Sequence, residues 1–316
     1  MQVVPYEPAL ESAWDDFCEN SLNGTFLHSR RFLGYHGKRF EDLSVVLMDA
    51  GSTVGLFPAA SAPGDPSAVV SHPGATYGGI VHQGRLTGGR MAAAMHALTE
   101  HYALTGARRL VYKLVPHIYA RAPAQDDLYA IAQMGAIRVR CALSCAIELA
   151  HQRPRSERRR RGLKKAQKVV TLSSEPTLVG DLWSVIAANL SREHGAVPVH
   201  SVDELALLAS LFPGQVLIRC ARIADCVEAG IVLFNSGNVW HAQYIAASER
   251  GYEASALDAV FDGAIGEAQE RGVRYFDFGT SNEDGGKTLN AGLYQFKAEF
   301  GGGGVAHETY EIGLTR

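Results

Sequence analysis

The chain has 316 residues, 47% of them hydrophobic and 20% charged, an ordinary globular mix that excludes general disorder. At about 150 residues per domain, this length suggests two domains or one duplicated unit. Thirty Lys and Arg against 33 Asp and Glu give a net charge of −3, but nine of the bases and one acid (Glu157) fall between Arg153 and Lys168. That strip carries +8 and the remainder −11, which excludes a whole-surface nucleic-acid binder and leaves room for one anionic ligand or surface.

Five cysteines (Cys18, Cys141, Cys145, Cys220, Cys226) are too few and too scattered for a disulfide framework. No Cys/His spacing supports zinc, so no metal is expected. The N-terminal residues lack a charged segment followed by an apolar one, and no apolar stretch approaches the ~20 residues that span a bilayer. A cytoplasmic protein with reduced thiols is expected.

In chain order, periodicity predicts a short strand, a helix from about Pro8 to Asn20 and a second from Ser29 to Tyr35. Leu43 to Asp49 and Thr53 to Ala60 read as a hairpin turning at Gly51-Ser52. A Pro/Gly-rich stretch leads to Ala75–Val81, then a helix from Gly89 to Leu104 closed by Gly106. Arg109–Val115 is a strand, Gln125–Met134 a helix and Ile137–Leu149 a long strand. The second half repeats the order. Val216–Ala221 and Val227–Phe234 form a hairpin, and Val239–Ala247 is a third strand. A helix from Ser255 to Arg271 is closed by Gly272; strand Arg274–Phe278, helix Leu289–Phe300 and strand Val305–Ile312 follow. Gly106 to Leu110 matches Gly272 to Phe276 at an offset of 166. Between the halves lie the basic strip, with Pro154 where a helix can begin, and helices at Leu178–His194 and Ser201–Leu211.

Several motifs dissolve on inspection. Phe276 to Thr288 offers a strand, a glycine loop and a GKT triplet, but a phosphate loop needs glycine where Ser281 stands. Gly301 to Gly304 has no helix behind it and reads as a connection. His241 sits in an apolar strand, where a satisfied buried imidazole is the more common finding than a base. What remains is the polar cluster that ends the Arg274–Phe278 strand: Asp277, Thr280, Ser281, Asn282, Glu283 and Asp284. Apolar strands ending in polar loops are where α/β folds place ligands, so Thr280, Ser281 and Asn290 just beyond are candidate substrate contacts.

The segments Tyr275-Phe276-Asp277-Phe278-Gly279-Thr280-Ser281, Leu293-Tyr294-Gln295-Phe296-Lys297 and Phe300-Gly301 resemble the C-terminal signature of the FemAB-like branch of the GNAT superfamily. The strip from Arg158 to Lys168 is similar to the basic segment that precedes the second half in that family. The resemblance implies an α/β (α+β) fold of two tandem GNAT-like domains, 1–150 and 151–316, each a mixed, mostly antiparallel sheet flanked by helices. Two departures stand out. There is no helical-hairpin insertion, and the GNAT acyl-CoA loop would need glycine at Glu253 if Arg250 opened it.

The implied activity is transfer of an acyl group from acyl-CoA to an amine, that of an amino sugar in a surface-polysaccharide precursor. The resemblance places Lys297 and Phe296 near the reacting acyl group, with backbone N–H groups along Gln243, Tyr244, Ile245 and Ala246 holding the acyl arm. Arg250, Gly251 and Ser255 would meet the donor's pyrophosphate at a helix start. Tyr244 and Tyr77, at comparable places in the two halves, would line the acceptor cleft, and Asp277 or Glu283 would take the amine proton. Arg158, Arg159 and Lys165 would hold the phosphates of a small or lipid-linked acceptor. Two other readings remain: an aminoacyl-tRNA-dependent FemAB-type transferase, with tRNA as partner, and a non-catalytic scaffold whose basic strip anchors it to an anionic lipid surface or to RNA.

Overall fold

A computed structural model describes residues 1–194 and 200–314. The chain divides into two compact units: Met1–Leu143 with Asn282–Thr288 and Ala306–Arg316, and Ser144–Ser281 with Leu289–Val305.

The first unit opens with β1 (Gln2–Pro5), α1 (Glu11–Glu19), α2 (Arg30–Gly34), β2 (Val45–Asp49), β3 (Ser52–Phe57), β4 (Ala60–Ala62), β5 (Asp65–Val70) and β6 (Val81–His82). It continues through α3 (Gly89–Leu104), β7 (Arg109–Lys113), α4 (Asp126–Gln133) and the first part of β8 (Ile137–Glu148). β1, β2, β3 and β6 form one antiparallel sheet. The β4–β5 hairpin, β7 and the C-terminal strand form another, with β5 and β7 parallel. Met91, Met95, Leu98 and Tyr102 of α3 close the core against Leu47, Phe57, Leu110 and Tyr112. The expected helix from Pro8 starts as a 3-10 turn, Pro8–Leu10, before α1. Of the stretch at Ala75–Val81 only Val81 lies in a strand, as the first residue of β6.

The second unit holds α5 (Glu157–Ala166), β9 (Thr171–Ser173), α6 (Val179–His194), α7 (Val202–Leu211), β10 (Val216–Ile223), β11 (Cys226–Asn235), β12 (Val239–Ala247), α8 (Glu249–Glu253), α9 (Ala256–Glu270) and β13 (Tyr275–Thr280). After β14 (Asn282–Glu283) and β15 (Thr288–Leu289) come α10 (Ala291–Ala298) and β16 (Gly303–Gly313). β9 to β12 are antiparallel neighbours, β12 and β13 are parallel, and β13 pairs antiparallel with the end of β8.

Strand alternation gives this sheet two different faces. Ala229, Ile231 and Leu233 of β11 join Leu257, Val260, Phe261 and Ile265 of α9 in one core. Gly230, on the opposite face, lies against α6, where a Cβ would stand 2.6 Å from Leu182. Helices therefore cover both faces. The two helix-to-strand joints are alike: Gly106 and Gly272 take positive φ, and Ala107 and Val273 donate back to Tyr102 and Ala268.

Candidate active site

Three features converge in the second unit. The first is where β12 and β13 part. Their parallel pairing runs only from Val239–Tyr275 to His241–Asp277, while β12 continues to Ala247. A bulge falls in that continuation: Val232 opposes Tyr244 and Leu233 opposes Ala242, so Gln243 is an extra residue. The bulge resets the alternation. Trp240 and Ala242 face the α9 core, whereas His241 and Tyr244, three residues apart, share the other face, where Tyr244 meets Trp183 of α6.

The second is a buried polar network on that other face. Phe276 and Phe278 of β13 point into the core, so Asp277 between them points away from it. Its carboxylate is fully buried and fully engaged. One oxygen accepts from Ser144 Oγ and from Gly279 N–H (2.9 Å), and the other lies 3.0 Å from His241 Nδ1. Lys297 of α10 is buried beside it and donates to the carbonyls of Gly279 (2.9 Å) and Thr280 (2.8 Å). Burial pulls its ammonium down to about 8, against the opposing pull of Asp277.

The third is a cavity of about 390 Å³ lined by Arg158, Arg161 and Lys165 of α5, Gly251 and Ser255 at the starts of α8 and α9, and Phe296 of α10. Gly162 lets α5 approach α9, since a Cβ there would stand 2.8 Å from Asp258. Among the described residues, Arg161 and Lys165 have no ion-pair partner. Arg159 differs. Its guanidinium lies between Asp258 (3.2 Å) and Glu299 (3.0 Å) and above the Phe296 ring. Burial raises Asp258 to about 6 despite that neighbour.

Residues 150–297 match the family model for the acetyltransferase (GNAT) domain. That segment, just under half of the chain, is similar to a GNAT acetyltransferase domain. The chain's fold is that of FemX, over 99% of this chain and 98% of that one, at a TM-score of 0.71 and 10% identity. L-PGS from Bacillus licheniformis aligns over 99% of this chain and 94% of its own, with a TM-score of 0.64 and 11% identity. A tandem GNAT protein from the clavulanic acid biosynthesis pathway aligns over 100% and 99%, with a TM-score of 0.55 and 11% identity. No curated protein sequence matches the chain. These similarities show a fold shared with FemX and with a tandem GNAT protein, and no helix among the described residues is long and apolar enough to cross a membrane.

The two phosphate-binding sets expected from sequence, Gly251 with Ser255 and Arg158 with Lys165, line one cavity. Arg250 is exposed and pairs with Glu228 at 3.4 Å. Ile245 and Ala246 pair with Ile231 and Gly230 of β11, which leaves their other edge toward the side β13 has left. Tyr244 Oη lies 2.5 Å from His200 Nδ1. Ser281 is buried, its carbonyl accepting from Asn290 N–H, and the Asn290 side chain caps α10 through Leu293 N–H. Glu283 is exposed on β14 and Tyr77 is buried with its hydroxyl donating to Thr25; both belong to the first unit. The sequence reading passed over His241 and Ser144. For His241 the signal was a polar residue between two core-facing neighbours, Trp240 and Ala242, which alternation places on the other side of the sheet.

Proposed function

We propose that the protein moves an acyl group from acyl-CoA to a primary amine, that of an amino sugar in a surface-polysaccharide precursor, on the cytoplasmic side where acyl-CoA is found. One observation carries this reading: a cavity with exposed cations opens at Gly251 and Ser255, directly after the strand whose edge β13 leaves unpaired. A cavity of this size suits a small-molecule site. Arg158, Arg161 and Lys165 supply charge for the donor's phosphates, and backbone groups from Gln243 to Ala246 supply hydrogen bonds for its extended arm. Lys297 spends two N–H bonds on Gly279 and Thr280 and so holds the end of β13 under positive charge, next to where the thioester would lie.

Chemically, the amine must be neutral, its nitrogen must lie close to the thioester carbonyl, and the leaving thiolate must be accommodated. Lys164 and Lys168 are exposed, outside the cavity lining, and suit a lipid-linked acceptor at an anionic surface.

Thermal unfolding with acetyl-CoA and longer acyl-CoAs, followed by mass spectrometry against amino-sugar nucleotides, tests the proposal. A raised Tm and an acylated sugar are expected, because a ligand bound only to the native state stabilises it. No shift with any acyl-CoA, together with transfer from an aminoacyl-tRNA, would replace the donor.

A further inference from the structure

His241 and Asp277 form the last rung at which β12 and β13 remain paired, so the pair stands where the two strands part. Their exposure differs in a telling way. The Asp277 side chain is 0% exposed and that of His241 11%. A carboxylate sealed on all sides, with Ser144, Gly279 and His241 taking its oxygens, has no room to meet a substrate amine. The imidazole keeps part of its surface exposed at the point where the two strands separate. By accepting at Nδ1, Asp277 fixes the tautomer that places the lone pair on Nε2. Gly279 borders that end of the ring: a Cβ there would stand 3.3 Å from Cε1 and 3.8 Å from Nε2, so a side chain at this position would crowd it.

We infer that His241 is the catalytic base of the acyl transfer and Asp277 its positioning residue, an assignment that rests on the acyl-CoA reading above. The amine arrives as an ammonium and gives one proton to His241 Nε2. Its freed lone pair forms the C–N bond at the thioester carbonyl carbon. The C–S bond breaks with its electron pair remaining on sulfur, the second amine proton neutralises the thiolate, and the imidazolium returns its proton to solvent. The buried Asp277 carboxylate stabilises the imidazolium in between, and the Ser144 hydroxyl keeps that carboxylate in place.

The experiment uses the full chain with acetyl-CoA and follows thiol release in wild type, His241→Gln, His241→Ala and Asp277→Asn. Three nucleophiles are compared: glucosamine, partly protonated at neutral pH; hydroxylamine, already neutral; and water alone, as background hydrolysis. The acetyl-CoA-induced rise in Tm is recorded for each variant as a check on folding and donor binding. With that rise preserved, His241→Gln is expected to lose about 10²–10⁴-fold in kcat with glucosamine, with little change in the acetyl-CoA KM. The loss should be smaller with hydroxylamine, background hydrolysis should fall, and added imidazole should restore His241→Ala. Asp277→Asn should lose kcat without imidazole rescue. Variants that keep kcat within threefold of wild type, or that lose equally with both amines, would overturn the assignment. Should His241→Ala misfold, Asp277→Asn and His241→Gln carry the same comparison. A wild type that shows neither a Tm rise nor thiol release fails at the donor, and that outcome overturns the acyl-CoA reading together with the base.

Discussion

Arg159 on α5 and Asp258 on α9 face each other as an ion pair, Nη1 3.2 Å from the carboxylate, with side chains only 8% and 6% exposed. The pair forms one wall of the basic cavity and keeps Arg159 from acting as a mobile phosphate ligand. Its removal leaves two buried carboxylates, Asp258 and Glu299, without their cation.

Arg159→Gln should therefore destabilise the chain by about 3–5 kcal/mol, the usual cost of stripping one partner from a buried pair. The loss should depend on pH. Asp258 already takes up its proton near 6 in the folded state, against 3.8 in its ordinary setting, so native Asp258 holds more proton between those values. Its contribution to stability is greatest at low pH and is lost as pH rises through about 6. Without Arg159 the unpaired charge is relieved by protonation, so the Tm gap between wild type and variant should narrow from pH 7.5 to pH 5. A gap that is constant or grows on acidification contradicts this account.

Lys297→Met removes the donor to Gly279 O and Thr280 O while roughly keeping chain length. Two carbonyls left without that donor predict a loss of about 1–3 kcal/mol in unfolding free energy. Folded Lys297 gives up its proton near 8 and the unfolded chain near 10.5, so the wild type gains stability relative to the variant as pH climbs between these values. Paired melting curves at pH 7 and pH 10 measure the difference. kcat should fall as the end of β13 loosens, and unchanged kcat and Tm together would remove Lys297 from both roles.

Replacing Arg158, Arg161 and Lys165 with Gln takes three cations from the cavity and leaves Arg159 with its carboxylates. The KM for acetyl-CoA should rise and its dependence on ionic strength should flatten, with kcat little changed. Kinetics at two salt concentrations decide this. An acetyl-CoA KM that is unchanged at both would mean these cations only meet solvent.

Much of the fold could be read from local signals. The helices α3 and α9 follow apolar periodicity and stop at Gly106 and Gly272, positions that demand a left-handed backbone. The hairpin of β10 and β11 was legible too, because its two apolar runs flank a short turn. The β4–β5 hairpin was not, since Pro63 and Pro66 disguise two short strands as a loop. Nor was α8, whose Ser248 cap sits among residues that read as a turn. The site was less legible than the fold for one reason. His241 meets Asp277 through the register of two parallel strands joined by a helix, and no turn geometry fixes such a register in the sequence. Asp277 was picked out by the polar loop that follows it, while His241 looked like one more residue of an apolar strand.

Gly279 links fold and chemistry most directly, because it adopts φ +77° and a Cβ on it would meet the ring of His241. Gly279→Ala brings two separate penalties. The left-handed backbone costs a non-glycine residue roughly 1–2 kcal/mol. The added methyl would also stand 3.3 Å from both His241 Cε1 and the Ala242 carbonyl, tighter than ordinary contact, so the ring must shift. Gly285 supplies the control: it takes φ +67° with nothing within 4 Å of its would-be Cβ, so Gly285→Ala carries the backbone strain alone. Both variants should lose thermal stability, Gly279→Ala the more of the two because it adds the close contact to the same backbone strain. Only Gly279→Ala should lose kcat, by at least tenfold if His241 must stand within hydrogen-bond reach of the amine, with the acetyl-CoA-induced rise in Tm retained. Equal kcat in the two variants would show that the ring's position against Gly279 has no bearing on turnover.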